Sequence, residues 1–171
     1  MNIENYIRDI QDFPKPGIGF KDITPLLSNP EATSACLELL INTSLQDKKI
    51  TKVVGVESRG FFFGILLAQK LNAGFVPVRK PKKLPYETIS ASYALEYGTD
   101  TLEMHIDAIQ KGDKVLIHDD VLATGGTAKA VCELVEQLGG EIVQMNFLME
   151  LSFLNGREKL GNKEIFAAIT Y

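Results

Sequence analysis

A chain of 171 residues with 45% hydrophobic content has the length and apolar supply for one compact domain with a full core. A net charge of −4 and a pI near 5.3 argue against a nucleic-acid surface as the main interaction. The longest apolar stretch, Phe61 to Ala68, is far too short for a bilayer, and the N-terminus lacks the basic-then-apolar pattern of a signal peptide. Cys36 and Cys132 have neither metal nor redox spacing, and each falls on the apolar face of an expected helix. They read as buried thiols in a reducing, cytoplasmic compartment.

In chain order, Ile3, Tyr6, Ile7 and Ile10 fit helical spacing with Asn2 as cap. The run from Phe13 to Phe20 carries two prolines and two glycines and predicts an irregular loop. Asn29-Pro30 reads as cap and first residue of a helix reaching about Leu45. Val53 to Glu57 predicts a buried strand, Gly60 to Leu71 a helix, and Phe75 to Arg79 a second strand. Thr88 to Leu95 and Leu102 to Ile106 alternate around a Gly98-containing turn, which predicts a β-hairpin. Strand 114–119 is followed by a helix with Ala128, Val131, Cys132, Val135 and Leu138 at helical spacing, ended by Gly139-Gly140. Strands near 141–149 and 164–170 finish the chain. This order predicts an α/β fold, a mostly parallel twisted sheet flanked by helices, with the hairpin as an antiparallel excursion. No repeat, low-complexity segment or linker divides residues 1–171.

The segment Val115 to Thr127 carries the chemistry. An apolar run ends in Asp119 and Asp120, and Ala123-Thr124-Gly125-Gly126-Thr127 follows as a turn into a helix. Such a turn presents consecutive backbone N–H groups to a phosphate, while the acids suit sugar hydroxyls or a cation. Diol on one side and phosphate on the other describe a ribose 5-phosphate. A P-loop is excluded because no Gly-Lys-Ser/Thr follows, and a dinucleotide fingerprint because the glycines are adjacent. The bland alternative is an ordinary strand–turn–helix connection with surface acids. Two further loaded segments follow strand ends, Glu57-Ser58-Arg59-Gly60 and Arg79-Lys80-Pro81-Lys82-Lys83. Ligands of open α/β sheets collect there, so a shared polyanion pocket is the better reading than a solvated basic loop.

The 115–127 stretch resembles the 5-phosphoribosyl pyrophosphate (PRPP) motif of the type I phosphoribosyltransferases. Phe13-Pro14-Lys15-Pro16-Gly17, Val54 to Phe61, Val78 to Pro85 and Leu95-Glu96-Tyr97-Gly98 extend the similarity to their adenine-specific branch, over about residues 6–160. The Phe-Pro-x-Pro-Gly loop and the Leu-Glu-Tyr-Gly turn set it apart from the orotate, uracil and hypoxanthine-guanine branches. Gly19, Lys21 and His118 depart from the usual pattern.

The resemblance implies a type I phosphoribosyltransferase fold over residues 1–171, with an N-terminal hood (1–30) and a hairpin lid (86–108). It implies purine salvage in which adenine and PRPP give AMP and pyrophosphate in a cytoplasmic homodimer, with Mg²⁺ bound through PRPP oxygens and no direct protein ligand. Asp119, Asp120, Ala123, Thr124, Gly125, Gly126 and Thr127 would hold the ribose phosphate. Ser58, Arg59, Arg79, Lys80 and Lys83 would hold pyrophosphate, Arg79 acting from a neighbouring subunit. Ile18, Phe20 and Arg59 would surround adenine, and Glu96 and Arg59 would be the catalytic groups, with Tyr97 on the lid. Two other readings stay open: a transferase for another purine, hinted at by Gly19 alone, and a nucleotide-sensing regulator without turnover. Glu96, Arg59 and Lys83, the lack of a DNA-binding segment and the acidic pI argue against the regulator.

The remaining features have plain readings. His118 is expected to be a hydrogen-bonded strand residue, His105 a solvent-facing hairpin residue, Glu103 and Asp107 surface acids, and Phe61-Phe62-Phe63 core.

Overall fold

In the computed structural model, which describes residues 1–42, 45, 47–94 and 98–171, the chain falls into two compact units, residues 1–39 and 40–171. In the first, Asn2 caps a 3₁₀ helix at Ile3–Tyr6 by accepting from Glu4 N–H. The expected helix to Ile10 is not formed. Arg8–Ile10 is strand β1, paired antiparallel with β2 at Phe20–Asp22. Facing residues across this ribbon carry opposite charge: Lys21 Nζ lies 2.8 Å from Asp9 and Arg8 Nε 3.9 Å from Asp22. Cross-strand charge pairs of this kind, with β-branched Ile7 and Ile10, outweigh a short helical pattern.

The loop between β1 and β2 is irregular, as expected, with Phe13 N–H donating to the Ile18 carbonyl. A short helix α1, Thr24–Leu27, precedes α2, Pro30–Leu40. Asn29 Oδ1 accepts from Ala32 N–H, giving α2 the predicted cap with proline in the first turn. The helix stops short of Leu45 because Asn42 turns its side-chain amide back onto the Leu40 carbonyl, 3.3 Å away.

The second unit is built on five parallel strands: β3 (Lys52–Val56), β4 (Gly74–Val78), β7 (Lys114–Leu122), β8 (Glu141–Glu150) and β9 (Ile165–Thr170), in the order β4-β3-β7-β8-β9. Helix α3 (Gly60–Lys70) joins β3 to β4, and α4 (Gly126–Gln137) joins β7 to β8. Successive strand residues point to opposite faces. Val54, Val56, Val115 and Ile117 accordingly form one core with Val131, Leu134 and Val135 of α4. His118 faces the other way, its ring 6.4 Å from that of Phe63 on α3.

The expected hairpin is present as β5 (Thr88–Ala94) and β6 (Thr99–His105), in register from Thr88 opposite His105 to Ala94 opposite Thr99. It packs Ala91, Leu102 and Met104 into the core shared with α4 and is tied to the end of β4 by two backbone bonds between Arg79 and Glu103. Gly139 and Gly140 end α4 as predicted, Gly139 at φ +84° with both N–H groups turned back onto the helix. One core assignment is corrected. Phe63 is buried, but Phe62 is 45% exposed, because residue 62 lies on the outer side of α3 one helical position away.

Candidate active site

The sheet order reverses direction between β3 and β7, and ligands of open α/β sheets sit at such a switch point beyond the carboxyl ends of the strands. There the three loaded segments meet. Ser58, Arg59, Lys80, Asp119, Asp120 and Thr127 line one cleft of about 380 Å³, with Tyr93 contributed by the hairpin. The approach of α3 to the end of β7 depends on Gly60: a Cβ there would stand 2.9 Å from Asp119 Oδ1 and 2.9 Å from the His118 carbonyl oxygen.

β7 runs on to Leu122, so both acids are strand residues, whereas a strand ending at 119 would leave Asp120 in the turn. Asp120 is 4% exposed, with Oδ2 2.8 Å from Arg59 Nε, and Asp119 Oδ1 accepts from Asp120 N–H at 2.9 Å. Burial first, and the adjacent Asp120 charge second, push the Asp119 carboxyl well above its ordinary range. Burial raises Asp120 too, against the opposing pull of Arg59. Each carboxylate has acceptor sites beyond this one bond, to which a vicinal diol can donate.

Beyond them the turn 123–127 forms a small concavity of about 70 Å³ leading into α4, with Gly125 at φ +79°. The first N–H groups of a 12-residue helix have no intrahelical acceptors, and here they open onto this hollow.

On the opposite side, Glu57 organises the basic cluster. Its carboxylate accepts from Lys83 Nζ at 2.9 Å, Lys80 N–H at 2.8 Å, and Arg79 Nη2 and Nε at 3.1 and 3.3 Å. Burial alone would raise its pKa, but the bonds from Lys83, Lys80 and Arg79 outweigh it and bring the group down to about 2. The Glu57–Ser58 peptide is cis. Lys80 Nζ turns toward the hairpin, bonding Asp100 and, at 3.4 Å, the Tyr93 hydroxyl, which itself donates to Asp100 at 3.1 Å. These partners more than offset burial and keep the Lys80 ammonium charged.

Ser58, Arg59, Lys80, Asp119, Asp120 and Thr127 are thus brought together, with Ala123, Thr124, Gly125 and Gly126 in the adjoining hollow and Arg79 and Lys83 arrayed on Glu57. Ile18 and Phe20 belong to the first unit, where Ile18 is exposed and Phe20 meets Phe13 edge-on at 5.1 Å. Glu96 and Tyr97 lie outside the described residues. Sequence reasoning gave no role to Glu57 as an anchor, nor to Tyr93 and Asp100. Tyr93 had a signal in its inward-facing alternation, whereas Asp100 had none.

His118 is buried, as a hydrogen-bonded strand residue should be, with Nδ1 3.0 Å from Asn146 Oδ1. The Asn146 amide nitrogen already donates to the Leu40 carbonyl, so its oxygen accepts and His118 Nδ1 donates. Burial, against the Asn146 bonds, lowers this imidazole to about 4. His105 is half-buried rather than fully solvent-facing, and its Nε2 accepts from Tyr86 N–H at 3.4 Å. Both cysteines are buried and free. Among the described residues no three His, Cys, Asp or Glu side chains converge as a metal-ligand set, and no helix is long and apolar enough to cross a membrane.

The profile of the Phosphoribosyl transferase domain matches residues 22–164. An adenine phosphoribosyltransferase of Flavobacterium johnsoniae is 77% identical over 171 residues, covering 100% of both chains. The crystal structure of adenine phosphoribosyltransferase from Rhodothermus marinus superposes with a TM-score of 0.95 at 56% identity, over 99% of this chain and 96% of that one. The Saccharomyces cerevisiae enzyme, complexed with an imino-altritol bisphosphate and adenine, gives a TM-score of 0.91 at 44% identity, over 97% of this chain and 96% of that one.

Proposed function

The chain belongs to the phosphoribosyl transferase family, and from that premise we propose that it transfers the 5-phosphoribosyl group of PRPP to adenine in purine salvage. The observation that carries this reading is the Asp119–Asp120 pair, Asp120 buried and Asp119 half-buried, set between a helix-N-terminal turn and a cationic cluster in one cleft. That order matches ribose diol, 5′-phosphate and 1-pyrophosphate on one substrate.

In the reaction the bond from C1′ to pyrophosphate breaks with its electron pair leaving on oxygen, N9 of adenine bonds to C1′, and the N9 proton is released. Positive charge gathers on the ribose and negative charge on the leaving group. Ser58 and Arg59 at the start of α3, with Lys80 and Lys83, neutralise the pyrophosphate. Mg²⁺, carried on PRPP oxygens as a hard cation with few protein ligands, adds charge neutralisation when bound. Asp119 and Asp120 hold the ribose hydroxyls still, and Ala123 to Thr127 hold the 5′-phosphate. Adenine stacks on Phe20, with Arg59 near its edge and the Ile18 carbonyl accepting from the 6-amino group. The chain acts as a homodimer: Phe62 and Ile65, 45% and 52% exposed, give α3 an apolar face to cover, and Arg79 serves the neighbouring copy's pyrophosphate. The two free, buried cysteines accord with a cytoplasmic location.

A 6-oxo purine sets an acceptor against the Ile18 carbonyl, an unpaired buried contact of the kind that discriminates strongly. AMP formation assayed against adenine, hypoxanthine and guanine should favour adenine in kcat/KM by at least roughly a hundredfold. Comparable values for hypoxanthine would overturn the base assignment, and no turnover with any base would indicate a regulator. Glu96 handles the purine proton in this reading. Glu96→Gln should lower kcat at least roughly tenfold, the low end of general acid–base contributions, with PRPP affinity kept. Wild-type kcat across the pH range would leave leaving-group stabilisation to act alone.

A further inference from the structure

The 5′-phosphate loop rests on a second loop that has no place in the reaction described above. A Cβ on Gly125 would lie 2.3 Å from the Gly156 carbonyl oxygen. Conversely, a Cβ on Gly156 would lie 2.2 Å from the Ala123 carbonyl oxygen and 3.1 Å from Gly125 N. The two backbones therefore touch with no side chain between them, and each glycine is needed by the other.

What holds Gly156 there is its neighbour. Arg157 forks onto Glu150, with Nε 2.8 and 2.9 Å from the two carboxylate oxygens and Nη2 2.6 Å from one of them, and Nη1 donates to the Ile165 carbonyl at 3.3 Å. Glu150 is 5% exposed and stands in register opposite Leu122, the last residue of β7 before the phosphate loop. Leu151 N–H donates to the Leu122 carbonyl and completes the circuit. A planar guanidinium bonded to a nearly buried carboxylate and to β9 is a rigid mount.

We propose that Gly156, mounted on the Glu150–Arg157 ion pair, is a positioning element that sets the direction of the N–H groups of residues 124–127. It thereby controls affinity for the phosphate end of the substrate without touching it. The proposal rests on the reading of Ala123 to Thr127 as the 5′-phosphate cradle. An added methyl at Gly156 must displace backbone on the loop side, and misplacement by a fraction of an ångström is enough to spoil a preorganised anion site.

The test is calorimetric titration of the full chain with ribose 5-phosphate, ribose and pyrophosphate separately, together with steady-state kinetics. Wild type should prefer ribose 5-phosphate to ribose, and Thr127→Ala should diminish that preference; if neither holds, the cradle reading itself fails. Given that preference, Gly156→Ala should weaken ribose 5-phosphate and raise the PRPP KM at least roughly tenfold, with kcat and pyrophosphate affinity within about threefold. Arg157→Lys, which keeps the charge and loses the fork, should move ribose 5-phosphate affinity the same way by a smaller factor. It also serves if Gly156→Ala does not fold. Unchanged ribose 5-phosphate affinity in the folded variants overturns the proposal, as does an equal loss of pyrophosphate affinity, the mark of general damage.

Discussion

Asparagine at both Asp119 and Asp120 is expected to abolish most PRPP use while leaving the fold intact. In the function proposed above each carboxylate would offer a charge-assisted acceptor to a ribose hydroxyl, and such bonds contribute about 1.5–3 kcal/mol each, or roughly tenfold to more than a hundredfold in binding. Both losses fall on one bound ribose, so the PRPP KM should rise and kcat should fall together. Near-normal KM and kcat in the double variant would put the diol elsewhere. The single change Asp119→Asn has a second expected consequence. Burial and the adjacent Asp120 charge hold its folded carboxyl well above the ordinary value of 3.8, so the folded state binds this proton more tightly than the unfolded one. Stability is therefore lost as pH rises above that value, and the cost is present at neutral pH. Asparagine removes the charge while its side-chain oxygen can still accept from Asp120 N–H, 2.9 Å away in the native protein. At pH 7 without ligand, a Tm increase of ~2–4 °C is expected, the scale of about 1 kcal/mol for a chain of this size. It should vanish toward pH 3. A lower Tm at pH 7 would mean that the Asp119 charge is compensated in the empty site.

Glu57→Gln is expected to disable the pyrophosphate side selectively. One carboxylate gathers Arg79, Lys83 and the Lys80 backbone N–H, and an amide keeps one acceptor while turning a donor toward the cations. Losing even one charge-assisted bond of about 1.5–3 kcal/mol predicts a rise of at least roughly tenfold in pyrophosphate Kd and PRPP KM. Ribose 5-phosphate affinity should hold, since the cradle is built on β7 and α4. A pKa near 2 keeps wild-type Glu57 charged from pH 4 upward, so its contribution should show no pH break there. Tighter pyrophosphate binding in the variant would identify Glu57 as a repelling charge, not an anchor.

How much of this could be read before folding depends on sequence distance. The turn at 123–127 into α4, the acid pair before it, the Asn29-Pro30 start of α2 and the Gly139-Gly140 end of α4 were all legible. In each, the decisive bonds lie within one turn or one strand–helix junction, and residue type and spacing encode them directly. The alternating hairpin and the parallel sheet were legible for a similar reason, since burial imposes a period on neighbouring residues. The β1 segment departs from its helical spacing because its pairing with β2, across the irregular loop, prevails over a period only a few residues long. Tertiary structure alone placed Gly60 against β7, gathered Arg79, Lys80 and Lys83 on Glu57, turned Lys80 toward Asp100 and Tyr93, and set Gly125 on Gly156. These contacts join segments with no shared period. Local motifs in the chain mark the polar and charged groups that line the cleft, because residue type and short spacing encode them; only the folded chain decides what holds those groups in place, because close approach and buried charge arise where distant segments converge.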